Sequence, residues 1–200
     1  MAVACGGSPS TAVTGPTAAS VSTQPADLPS DMRKCSLSGD IQSFLNKSKT
    51  QDPTTYTSFT NYWNAEQKLG ATSEFTAFYS DSAAHCTSIE SNGSDVSTAT
   101  YKLVVDFVIG FKDEASAKES YTSESNFGIS MATLKAGGTA AQGTATGLTA
   151  NSIVLSVAVP TQAFYIAYWQ NKAFLVILVI LNLDTATSKK AALAENSRIK

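Results

Sequence analysis

The 200-residue chain is predicted to fold as α+β. Helices come first, followed by an antiparallel sheet of about 4–6 strands with helices packed mainly on one face. Three observations predict this. Apolar residues recur at helical spacing in the first half of the chain. Residues 99–111 alternate with the period of a strand. From Ala136 to Leu183 the only charge is Lys172, and the apolar runs there have strand length. Charged residues make up only 15% of the chain, and the formal net charge is −2. That balance excludes the basic footprint of a nucleic-acid binder.

The elements follow in order. Leu37, Ile41, Phe44 and Leu45 fit one face of a helix that Ser38 or Asp40 caps. Asp52-Pro53 interrupts it, and a second helix over 54–69 ends at Gly70. Tyr56, Phe59 and Trp63 share a face of that helix, and the spacing reads as core. A short helix from Ser80-Asp81 runs through Cys86 and Ile89. Tyr101, Leu103, Val105, Phe107, Ile109 and Phe111 line one face of the strand 99–111, and Lys102, Asp106 and Gly110 interrupt the other. One face is therefore expected to be buried and the other only partly covered. Asp113 caps a helix over 114–126, and the Gly-rich stretch 137–147 reads as a mobile connection. Residues 152–159 and 162–170 form a hairpin around Pro160, and the turn Gln170-Asn171-Lys172 leads into Ala173–Leu181. Nine apolar residues are too few to span a membrane, which takes about 20. They are assigned to a central strand covered on both faces. A final helix occupies 185–198. Strand, acidic turn and helix recur in 98–121 and 173–196, an echo that reads as a strand–helix pseudo-repeat.

Residues 6–30 differ from the rest. They hold four of the six prolines and one charge, Asp27, with no aromatic residue and no apolar period. Such composition reads as a flexible Ser/Thr/Pro/Gly tether. This divides the chain into a tether, 1–30, and a single domain, 31–200.

Ala2-Val3-Ala4-Cys5, followed by Gly6-Gly7 and this tether, resembles the lipobox of bacterial lipoproteins. The resemblance covers about residues 2–30. It implies that Cys5 carries a diacylglyceryl group and that the domain sits on the outer face of a membrane in a bacterial cell envelope. A secretory signal needs a basic start and an apolar stretch, and neither lies between Met1 and Cys5. Either the chain begins near a processing site or the native start lies upstream. The layout is also similar to small extracytoplasmic lipoprotein domains of unassigned activity. With Cys5 assigned to lipid, Cys35 and Cys86 are left to pair as a disulfide.

Residue chemistry points away from catalysis. One histidine, His85, and a paired Cys35 and Cys86 exclude the common zinc sets, and no G-x-S-x-G elbow is present. Asp81 with Glu74 or Glu90, and Asp113 with Glu114, read as solvated or capping acids. No cofactor is expected. Tyr165, Tyr168 and Trp169 fall on alternate faces of one strand and offer a binding surface if a face stays open. The expected function is a lipid-anchored, non-catalytic binding or assembly module for a protein partner. The alternative is a carrier or sensor of an apolar small ligand held between helices and sheet, which the uncharged stretch 136–183 motivates.

Overall fold

The computed structural model of the protein describes residues 15–123 and 129–200. Its elements, in chain order, begin with helix α1 (Ala18–Val21), a 3-10 turn at Pro25–Asp27, and strands β1 (Arg33–Lys34) and β2 (Gly39–Asp40). Then come α2 (Ile41–Gln51), α3 (Pro53–Lys68), β3 (Ala71–Ser80), α4 (Ala83–Ser91), β4 (Leu103–Phe111) and α5 (Glu114–Thr122). The chain continues through α6 (Met131–Ala136), β5 (Ala141–Gln142), β6 (Ser152–Val159), β7 (Gln162–Asn171), β8 (Phe174–Leu181) and α7 (Thr185–Arg198).

Short polar side chains set the helix starts. Asp40, Asp52, Ser82, Asp113, Ser130 and Asp184 each accept from a backbone amide of the first turn they open. Satisfying those donors stops a helix end from carrying unpaired amides. Asp52 caps α3 directly after α2 ends, with Pro53 at the first helical position, where its missing amide costs nothing. Gly70 closes α3 at φ 99°, a conformation that a side chain would strain.

The strands form one antiparallel sheet in the order β1-β3-β4-β8-β7-β6-β5, with β2 also paired to β3. The β1–β2 edge is broken in the middle. There the Ser38 hydroxyl stands in for a ladder partner and accepts from the Phe78 amide at 2.9 Å. Such an interrupted edge gives another strand little to pair with. The β8 run is central and buried on both faces, as predicted.

Helices α2–α6 cover one face, packing Phe44, Ile89, Tyr121 and Leu134 onto Phe78, Phe107, Ile177 and Tyr168. Helices α1 and α7 cover the other, with Val21, Ala191 and Ala192 against Tyr79, Val104, Trp169 and Leu178. The two strand–helix units, β4–α5 and β8–α7, thus send their helices to opposite faces.

Two expectations are corrected here. The tether reading fails over residues 18–30. Val21, Ser22 and Thr23 are fully buried, and Leu28 packs in the same cluster. Among the described residues, packing therefore reaches back to Ala18 rather than stopping at residue 31. In consequence β4 is buried along its whole length on both faces, because residues 18–28 and α7 cover the side expected to be partly open. Deleting residues 15–24 is expected to cost at least about 3 kcal/mol. It uncovers the Val21 site and removes a hydrogen-bond donor from buried Asp106. Urea denaturation checks this, since loss of a true tether would leave the midpoint unchanged. Within the Gly-rich stretch, Ala141 and Gln142 pair with β6, and at its end the Thr146 and Ser152 hydroxyls lie 2.7 Å apart, both buried.

Candidate functional site

Helices α2, α3 and α4 do not close fully onto the sheet. Between them and strands β3, β4 and β8 lies a cavity of about 240 Å³. Its inner wall is aromatic and aliphatic: Phe44, Phe78, Phe107, Val105 and Ile89 are buried and line it. Phe59 of α3 stands over this wall, with ring centroids 4.7 Å from Phe44 and 5.4 Å from Phe107. Helix α3 itself packs loosely, and Tyr56, Phe59 and Trp63 stay partly exposed. The aromatic face of this helix is therefore both core and cavity wall.

Polar lining residues mark the mouth. Asp52, Thr55, Glu90 and Gly93 border the cavity and are half-buried. Asp52 accepts from the amide and hydroxyl of Thr55 at 3.1 and 2.7 Å, and from the Gly93 amide at 2.8 Å. Partial burial pushes its carboxyl upward, but the Gly93 and Thr55 donors outweigh this and hold it below the usual carboxylate range. A methyl group on Gly93 would meet Thr55 Oγ1 at 2.5 Å, so only glycine permits this approach of the turn after α4 to the start of α3.

The predicted disulfide forms. Cys35 and Cys86 are joined with Cα atoms 5.3 Å apart, tying the end of β1 to α4. Leu37 and Ile89, which follow the two cysteines, both line the cavity. His85 does not pair with Cys86. Its Nδ1 lies 2.5 Å from Asp81 Oδ1, and its ring stacks on Tyr101 with centroids 3.9 Å apart. Asp81 thus partners His85 and the Lys102 amide rather than Glu74 or Glu90.

The aromatic binding surface is a further correction. Tyr165, Tyr168 and Trp169 alternate between faces as predicted, but both faces are covered and all three are buried. Tyr168 stacks on Tyr121 at 5.0 Å and donates to the Tyr121 carbonyl at 3.0 Å. Trp169 lies with Tyr165 among the residues under α1 and α7. Cys5 lies outside the described residues.

Four buried carboxyls had no sequence signal, because acids in short polar contexts ordinarily face water. Glu66 of α3 and Glu74 of β3 are both buried and near enough for the charge of one to act on the other. Glu66 accepts from the Ser120 hydroxyl at 2.6 Å. Neither Glu74 oxygen has a hydrogen-bond partner, and the Thr76 hydroxyl beside it completes none. Burial, and after it the nearby Glu66 charge, pushes Glu74 up to about 8. Asp106 of β4 and Glu195 of α7 are fully buried on the opposite face, and both accept from Thr23. Desolvation raises both.

No helix among the described residues is long and apolar enough to cross a membrane. Comparison with protein-family models, curated proteins and solved structures finds no match to this chain.

Proposed function

We propose that the domain binds one small apolar molecule in the cavity under α2–α4, as a non-catalytic carrier or sensor. The observation that carries this reading is the cavity itself. At about 240 Å³ it exceeds the roughly 150 Å³ apolar void that accommodates benzene, and it is walled by phenylalanine and aliphatic side chains. A molecule of about ten non-hydrogen atoms fits that space. Asp52 and Glu90 at the mouth present acceptors, which favours a ligand whose polar end is a hydrogen-bond donor over one that ends in a carboxylate.

Indole is a suitable probe, followed by chemical-shift changes in the bound protein. The expected result is saturable binding that perturbs Phe59, Val105 and Ile89. Val105→Phe fills the floor and is expected to weaken binding at least tenfold, about 1.4 kcal/mol. Shifts scattered over the surface, or unchanged affinity in the filled variant, would remove the basis for a ligand site.

We further propose that Cys5 is lipidated and holds the domain at the outer face of a bacterial membrane. The lipobox-like start supports this, and the disulfide agrees with an oxidising compartment. Thirteen residues along the chain separate Cys5 from Ala18, where packing starts among the described residues, so the connection spans at most about 45 Å. Mass spectrometry of the protein taken from native membranes, without reductant, tests it. An unmodified Cys5 would overturn the localisation.

A further inference from the structure

Residues 17–27 are held on the second face of the sheet by polar contacts as much as by packing. The Thr23 amide donates to Asp106 Oδ2 at 2.8 Å, and its hydroxyl donates to Glu195 Oε2 at 3.1 Å. Tyr79 donates its phenol to the Thr23 carbonyl at 2.8 Å. Arg198 grips the same segment from α7. Its guanidinium donates to the Val21 and Ser22 carbonyls, each at 3.0 Å, and to both carboxylate oxygens of Asp27. Every one of these contacts joins residues distant in sequence, and they meet around Thr23.

At the centre are two carboxyls out of contact with water, Asp106 and Glu195, both of which accept from Thr23. Their remaining oxygens, Asp106 Oδ1 and Glu195 Oε1, have no hydrogen-bond partner. Two ionised carboxylates gathered on one residue in a dry site repel strongly, so the pair retains at least one proton. Arg198, the cation that faces the pair among the described residues, is already committed to Asp27 and two carbonyls. If the retained proton leaves, two negative charges remain in a dry site with Thr23 between them and solvent.

We propose that residues 17–27 are a strap latched by the protonated Asp106–Glu195 pair, and that loss of the retained proton at rising pH releases the strap from the sheet. The charged and titratable groups facing the pair are Tyr79 of β3, Asp27 of the 3-10 turn and Arg198 of α7. Burial raises the Tyr79 phenol further above neutral pH, so it stays neutral across the relevant range. The Arg198 guanidinium opposes the retained proton and favours the ionised pair. Both acids have raised proton affinity in the latched state, so that state holds protons the released one has lost. The latched fraction therefore falls as pH rises, by up to about tenfold per pH unit for each such proton. For a domain anchored at Cys5, release moves the first residue packed on the sheet from Ala18 to Leu28, which lies twenty-three residues beyond the anchor and at most about 80 Å from it.

Hydrogen exchange on the full chain tests this, with rates corrected for the intrinsic effect of pH. Between about pH 6 and about pH 8.5, in a Glu74→Met background that removes the fold-wide effect of that carboxyl, protection of the Thr23 amide and its neighbours is expected to fall at least tenfold, while the amides of β4 and β8 change less. Glu195→Gln in the same background supplies a neutral amide without a titrating proton, and should flatten the response over residues 17–27. Asp106→Asn, whose oxygen still accepts from Thr23, does the same should the first variant fail to fold. Protection that stays constant with pH in the Glu74→Met protein overturns the latch. So does an equal fall in the variant, which would assign the response to another group. A uniform loss over every element also overturns it, because that reports global unfolding.

Discussion

Raising the pH from 4.5 to 8 is expected to lower the stability of the domain by about 5 kcal/mol through Glu74 alone. In the fold this carboxyl keeps its proton up to about pH 8, because desolvation and then the nearby Glu66 charge oppose ionisation. Once unfolded it ionises near its ordinary value of 4.5. Between those values the folded chain holds a proton that the unfolded chain has released. Stability is thus greatest below 4.5 and declines as pH climbs toward 8. Glu66, Asp106 and Glu195 are shifted upward as well and add the same sign. Urea denaturation across this range should show a midpoint that falls steadily with pH. Glu74→Met removes an unpartnered buried polar group and should raise the midpoint at pH 8 by several kcal/mol equivalent, with little change near pH 4.5. A wild-type profile flat between those limits would show that the carboxyl reaches water without unfolding.

Reduction of Cys35–Cys86 is the second large effect. The bond closes a loop with a sequence separation of 51, for which loss of the cross-link costs about 4 kcal/mol. The loop encloses α2, α3 and β3, so the cost is not spread evenly. With the tie cut, the contacts left on α4 and the turn after it include Ile89 in the core, the His85 pairings with Asp81 and Tyr101, the Ser36–Glu90 hydrogen bond and the Asp52–Gly93 hydrogen bond. The cavity mouth lies between these parts. Reduced protein is therefore expected to lose indole binding at denaturant concentrations where the sheet persists. Denaturation monitored with and without reductant, alongside binding, checks both parts. A midpoint unmoved by reductant would mean that the packing of α4 suffices by itself.

What could be read from the chain was whatever depends on near neighbours. Asp40, Asp113 and Asp184 announce their helices because a cap acts within four residues. The run 174–181 announces a central strand because its apolarity is continuous. Strand β3 gave no such sign. Its sequence, ATSEFTAFYS, carries Thr72, Ser73, Glu74 and Thr76, and the buried side chains of Glu74 and Thr76 find no hydrogen-bond partner at all. The turn before β8 places positive φ at Lys172 rather than at Asn171. Residues 18–30 read as a tether because their own composition holds little to bury, and what orders them comes from positions 79, 106, 195 and 198. The cavity is invisible for the same reason. It exists only where α2, α3 and α4 lean on three strands.

The meeting of Val21 and Ser22 with Arg198 also governs how the molecule can assemble. These contacts close over 177 and 176 residues of chain. Strand β8 pairs β4 across the whole of α5, α6, β5, β6 and β7. A chain emerging from its N-terminus thus makes its first segment long before the helix that receives it. Non-local closure of this kind slows folding, since loop entropy is lost before contacts repay it. The second sheet face is covered by residues 17–27 and α7, so these two segments are expected to order last and together. A late folding phase sensitive to substitutions at both Thr23 and Glu195, and to few residues between them, would be its kinetic signature.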